Sequence, residues 1–255
     1  MAGHSKWSQI KRQKAITDGK RGAVFTKLGK GITIAVRTGG GDNPDYNFKL
    51  KAAIDKAKAA RMPKDNIERA IEKGAGKGGE AELKEVVYEG YLPGGVAVMV
   101  FGATDNNNRT SGDVRTAFSK AGGALGTSGS VAFMFEKKGI TRIVKPENFD
   151  GVLEEKIMEL ATDAGYEDID FAEEEILLTV NPHDIEKISK EFEKLVETNK
   201  VNLEIESSQE EYLPLNTVTI SDPEIIKTIM KAMDTFEDHD DVIEVVSNFE
   251  IEEVV

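Results

Sequence analysis

The reading of the fold turns on residues 139–207, "GITRIVKPENFDGVLEEKIMELATDAGYEDIDFAEEEILLTVNPHDIEKISKEFEKLVETNKVNLEIES". Its β-branched and apolar runs, GITRIVK, YEDIDF, EILLTV and VNLEIES, read as strands. Between them, NFDGVLEEKIMELATDAG and PHDIEKISKEFEKLV carry apolar residues at helical spacing. The order β-α-β-β-α-β is a ferredoxin-like unit complete in itself.

The flanking sequence is not complete on either side. Before it, EVVYEGYL and GVAVMVFGAT form two strands around PGG. TSGDVRTAFSKAGG follows as a helix with Thr110 as N-cap and Gly122 at its end, and SVAFMFE as a further strand. After it come NTVTI (strand), DPEIIKTIMKAMDTF (helix) and DVIEVVSNFEI (strand). The first piece lacks a second half and the last lacks a first. The economical architecture is α+β in three domains. Residues 1–80 form a basic tail with a helical domain. Residues 81–136 and 206–255 form one discontinuous α/β domain. Residues 137–205 are a ferredoxin-like insertion in it.

In the N-terminal domain a helix near 23–38 places Phe25, Leu28, Ile32 and Ala35 on one face despite Gly29 and Gly31. NFKLKAAIDKAKAAR, 47–61, is a helix with Leu50, Ala53, Ile54 and Ala57 on one side. After Pro63 a second helix has Asp65 and Glu68 at capping-box spacing and Gly74 as its stop. GAGKGGEAE is a linker, lacking the Ser or Thr, the spacing and the strand of a phosphate loop. The first 20 or so residues have no core-forming pattern and are expected to be extended or mobile until bound.

Charge divides the chain. Residues 1–78 hold 18 Lys and Arg against 7 Asp and Glu, whereas the rest holds 15 against 39. Such asymmetry draws one end to a polyanion, or docks it on the acidic remainder. Lys6, Lys11, Arg12, Lys14, Lys20, Arg21, Lys27, Lys30, Arg37 and Lys64 are the candidate phosphate contacts. Trp7 either stacks on an unpaired base or folds back on the helical domain. In GATDNNNRTSGD the Asn residues read as turn and cap chemistry, and Arg109 could grip a phosphate at a helix start.

Catalysis has little to work with. Cys is absent, and His4, His183 and His239 stand near no nucleophile motif. Three scattered histidines make no transition-metal site, and EDHDD and AEEEI read as solvated acidic faces. Neither a cofactor nor a small-molecule substrate is expected. The lack of Cys, of an apolar run of spanning length and of a secretory block fits a cytoplasmic protein with no membrane partner.

Three stretches, MAGHSKWSQIKRQKAITDGKRGAVFTKL, AAIDKAKAARMPKDNIERAIEKG and NNNRTSGDVRTAFSKAGGALGTSGSVAFMF, resemble the YebC family. The resemblance runs from the first residue to the last strand. Two positions depart from the pattern: Arg61 stands where Asn is expected before Met62, and Asn107 where Arg is often found before Asn108. The resemblance implies an N-terminal helical domain and two α/β domains, one inserted in the other, with no enzyme activity. It implies either a DNA-binding regulator of transcription or a ribosome-associated translation factor that binds ribosomal RNA and eases synthesis of proline-rich stretches. Exposed Lys on 47–61 suits phosphates more than base edges, which tilts the reading toward RNA. A third reading is a protein-interaction module whose tail only docks internally.

Overall fold

A computed structural model describes residues 21–77, 83–172 and 175–251. The fold is α+β, in two compact units. Unit 1 takes in the described residues up to Glu136 and from Leu213 onward; unit 2 is Lys137–Tyr212.

Unit 1 begins with three helices, α1 (Arg21–Thr38), α2 (Phe48–Ala59) and α3 (Lys64–Gly74). Ile32, Ala35 and Val36 of α1 pack on Leu50, Ile54 and Ala57 of α2 and on Ile67 and Ala70 of α3. Asn47 caps α2 by accepting from the Leu50 amide at 2.9 Å, while its amide nitrogen donates to the carbonyls of Ala35 and Gly41. One buried side chain thus satisfies groups at the end of α1 and the start of α2. Gly74 is the last residue of α3, and its role is contact: a Cβ there would lie 2.7 Å from Val36 Cβ and 2.8 Å from the Thr33 carbonyl. Asp65 does not cap α3; Pro63 holds the N-cap position and Asp65 falls in the first turn. Pro at this place has no donor to satisfy and a φ suited to helix entry.

Among the described residues, five helix ends share one design. At α2 the Met62 amide donates to Ala57 and the Arg61 amide to Lys58, a Schellman closure that puts residue 61 in the left-handed region. The same pair of bonds closes α3 at Gly76 and the later helices α4 (Asn107–Lys120) and α5 (Gly151–Ala164) at Gly122 and Gly165. It also closes α6 (Ile185–Thr198), with Lys200 in the left-handed position.

The unit 1 sheet runs β3-β1-β2-β9, from β1 (Lys84–Leu92), β2 (Val96–Thr104), β3 (Ala124–Leu125) and β9 (Val242–Ser247). α4 and α7 (Pro223–Asp238) cover one face, where Phe118 and Phe236 sit 4.6 Å apart between ring centroids among Tyr88, Val98, Val100 and Met233. The other face takes α1, whose Ile34 packs with Leu83, Ala103 and Ile243. β2 is therefore buried on both sides.

Three expectations fail here. SVAFMFE is not one strand: residues 132–134 form a 3-10 turn, and β4 (Phe135–Val144) starts after it. The cause is Glu89, whose buried carboxylate accepts from the amides of Gly129, Val131 and Ala132 and bends the chain around itself. DVIEVVSNFEI breaks at Asn248, which bonds the Ala97 amide through its side chain and lets β10 (Phe249–Ile251) leave β9 to pair with β8 (Val218–Ile220). Thr110 is not an N-cap: Asn106 caps α4 by accepting from the Arg109 amide, and Thr110 is buried inside the helix.

Unit 2 has the order β5-β6-β4-β7, with β5 (Asp168–Phe171), β6 (Glu175–Val180) and β7 (Glu204–Pro214), which is the ferredoxin-like order. The Tyr166 ring meets Phe192 of α6 edge-on and its hydroxyl bonds Thr141 of β4. Burial pushes that phenol up to about 12. On β4, buried Arg142 bonds Glu175 and both carboxylate oxygens of Glu211.

Candidate nucleic-acid interface

The basic residues of unit 1 divide by what they touch. Lys30 points from α1 to the loop before β9. Its Nζ donates to Asp241 Oδ1 at 2.5 Å and to the Asp240 carbonyl at 2.9 Å. Arg37, two turns further on, donates to the Leu83 carbonyl at 2.8 Å. These two cations bind α1 to the α/β sheet beside the Ile34 contact. Lys27 is likewise engaged within the protein.

Asp241 is the centre of this joint. Its side chain is 6 % exposed. Besides Lys30 it accepts from Thr110 at 2.7 Å, Thr104 at 3.1 Å and Arg109 Nη2 at 2.9 Å. Burial raises the carboxyl pKa, but the bonds from Lys30, Thr110 and Arg109 outweigh it and hold the group well below the usual carboxylate range. The residue is thus an anion satisfied by α1, β2 and α4 together. Arg109 also reaches Asp105 at 3.1 Å, and about half of its side chain remains exposed. His239 sits beside this joint: its Nδ1 accepts from the Asp241 amide, and Nε2 lies 3.3 Å from Asp113. Both contacts are structural in character. His183 is exposed at the start of α6.

The cations facing solvent lie elsewhere, on the α2–α3 hairpin. Lys56, Arg61 and Arg69 are exposed and Lys51 half-buried, and none of the four side chains bonds or pairs within the described residues. Lys58, Lys64 and Lys77 are exposed and make surface pairs with Asp55, Glu68 and Asp42. Such exposed pairs are weak and yield readily to a phosphate. The Lys77 contact holds the Asp42 carboxyl below its ordinary value.

Of the residues expected to meet phosphate, Lys64 thus stands in the hairpin group. Lys30, Arg37 and Arg109 are tied into unit 1. Lys6, Trp7, Lys11, Arg12, Lys14 and Lys20 lie outside the described residues, as does the side chain of Arg21. Lys51, Lys56, Arg61 and Arg69 were not singled out as phosphate contacts. The signal for them was the apolar face of each helix, which leaves these positions outward; the signal against Lys30 was that Ile34 gives α1 a second apolar contact. No group of metal-ligating side chains and no helix long and apolar enough to cross a membrane occurs among the described residues.

Comparison with known proteins covers the chain. Residues 5–77 match the family described as the TACO1/YebC protein N-terminal domain, and residues 83–249 the TACO1/YebC second and third domain. A "Probable transcriptional regulatory protein" of Rubrobacter xylanophilus is 46% identical over 256 residues, covering 100% of this chain and 98% of the relative. One of the same name from Aquifex aeolicus is 44% identical over 255 residues, with 100% and 98% covered. The crystal structure of a conserved hypothetical protein from Aquifex aeolicus superposes with a TM-score of 0.84 at 43% identity, over 98% of this chain and 99% of that one. The chain belongs to the TACO1/YebC family.

Proposed function

We propose, with TACO1/YebC membership as the premise, that this chain is a non-enzymatic regulator of gene expression that binds nucleic acid through its N-terminal domain. The observation that carries the reading is the set of solvent-facing cations on the α2–α3 hairpin, in a segment with 18 Lys and Arg against 7 Asp and Glu. Cations that have no internal partner are free to replace the counterions of a phosphate backbone. The basic residues before α1 add to the positive charge of the segment. The relatives' name supports a transcriptional form of that regulation.

One observation favours a second reading, a ribosome-associated translation factor. The exposed positions of α2 are Lys49, Asp55, Lys56, Lys58 and Ala59, with none of the Asn, Gln or Arg side chains that read base edges in duplex DNA. Such a surface positions itself on a backbone and carries little sequence information.

The test is co-sedimentation of the native protein with ribosomes at two salt concentrations, with duplex DNA binding followed in parallel, beside a Lys56→Glu/Arg69→Glu variant. Salt-sensitive binding lost in the variant is expected. A preferred DNA sequence would support the transcriptional form, and co-sedimentation the translational one. If the native protein ignores both ligands, nucleic-acid binding is refuted and the interaction-module reading takes its place.

A further inference from the structure

Arg61 occupies a position that its own backbone disfavours. It is the left-handed residue of the Schellman closure at α2, with φ 59°. A Cβ is crowded in that conformation, so Gly is the usual occupant and Asn the next best. Among the described residues the closures of this kind follow that preference at Gly76, Gly122 and Gly165 and depart from it at Arg61 and Lys200. Among the described residues nothing compensates. The Arg61 residue is exposed, and its guanidinium has no hydrogen bond or ion pair among the described residues. The fold's own need at this corner is met by the backbone and by Met62, which is buried against the α1 helix core. A cation at a helix C-terminus does gain from the dipole, but Lys56 and Lys58 already fill the last turn of α2. A residue kept against its local backbone preference, with its functional end pointing to water, is a candidate for a task outside the fold.

We propose that Arg61 is a phosphate-contacting residue, its guanidinium gripping the backbone of a bound nucleic acid at the tip of the α2–α3 hairpin. The inference rests on the nucleic-acid reading above and deepens it to one residue. Arg suits the place because its planar fork can bond two phosphate oxygens at once. Exposed Lys58 and Lys64 lie three residues to either side and add to the local positive potential. Lys200 supplies the comparison within the molecule. It has the same backbone strain, on a unit holding 9 Lys and Arg against 21 Asp and Glu between Lys137 and Tyr212. There a polyanion is repelled, so relief of strain should come without loss of binding.

The experiment measures binding of the full chain to a labelled stem-loop RNA and to duplex DNA across a salt series, together with thermal unfolding. Four variants are used: Arg61→Gln, Arg61→Gly, Arg61→Lys and Lys200→Gly. Arg61→Gln keeps the backbone cost and removes the charge. It is expected to weaken binding to at least one probe roughly fivefold at physiological salt and to lower the salt slope by about one. Arg61→Gly should bind equally poorly while unfolding about 2 °C higher. Arg61→Lys should recover part of the lost affinity. Lys200→Gly should gain the same thermal shift and bind as the native chain does. If the native chain binds and Arg61→Gln and Arg61→Gly bind both probes equally well, the assignment of Arg61 is overturned and the wider reading survives. If the native chain binds neither probe, both fall together.

Discussion

Helix α1 and the α2–α3 hairpin are both basic, yet they use their charge in opposite ways. Lys30 and Arg37 of α1 are turned inward, onto Asp241 and the Leu83 carbonyl. Lys51, Lys56, Arg61 and Arg69 of the hairpin have no side-chain bond or ion pair among the described residues. The difference follows from packing. α1 is covered on two sides, by its sister helices and by the sheet, so a cation on the sheet side must find an anion or leave. α2 and α3 bury one stripe each, and the remaining surface is open to water. Net charge along a sequence therefore overstates what is available to a ligand. The same segment contains charge that holds the fold and charge that can act.

That division can be tested from both sides, and the largest effect belongs to a buried ion in unit 2. Arg142→Ala strands Glu175 and Glu211 without their cation, and chemical denaturation should show a loss of about 3–5 kcal/mol. A loss below about 1 kcal/mol would mean that buried charge in this chain is not committed to the fold.

Next comes the joint at α1. Asp241→Asn keeps the shape and removes the charge, and should cost about 2–3 kcal/mol. The acid profile gives the sign. The folded-state carboxyl titrates well below its unfolded value near 3.9, so its contribution is complete above that pH and fades as pH falls toward the folded pKa. Native protein should lose stability on acidification more steeply than Asp241→Asn. Parallel curves would show that Lys30 is not held by this carboxylate.

Tyr166 gives a smaller effect at the other end of the scale. Its phenol is neutral in the fold and raised to about 12, so the contribution is present below about pH 10 and lost as pH climbs toward 12. Tyr166→Phe should flatten the alkaline limb of the stability curve, followed by circular dichroism. An unchanged limb would place the alkaline loss in other groups.

The smallest effect is a gain. Arg61→Gly should raise stability by about 0.5–1 kcal/mol, the hairpin having spent nothing internal on the side chain. A destabilised variant would show that Arg61 serves the fold and would blur the contrast between the two regions.

Much of this was legible in the residues. Apolar spacing marked the three N-terminal helices, and the β-α-β-β-α-β order of 139–207 marked the ferredoxin-like unit, because those patterns depend on neighbours within one element. The end of α4 was readable at Gly122, which allows the left-handed turn, whereas the closure of α3 falls at Gly76 and not at Gly74. The 3-10 turn at 132–134 was not, because Glu89 that shapes it lies some 40 residues earlier. The break at Asn248 was hidden for the same reason: its partner is the Ala97 amide. The candidate interface was half legible. Its domain and sign of charge stand in the sequence, and the apolar stripes of α2 and α3 mark their outward cations, but not that Lys30 and Arg37 are tied into the fold.

The sequence by itself determined the α+β class, the inserted ferredoxin-like unit and the basic character of the N-terminal segment, since composition and periodicity are local properties of the chain. Only the tertiary structure decided which basic residues are spent. A cation's availability depends on whether an anion such as Asp241, more than 200 residues away from Lys30, is brought within hydrogen-bond reach.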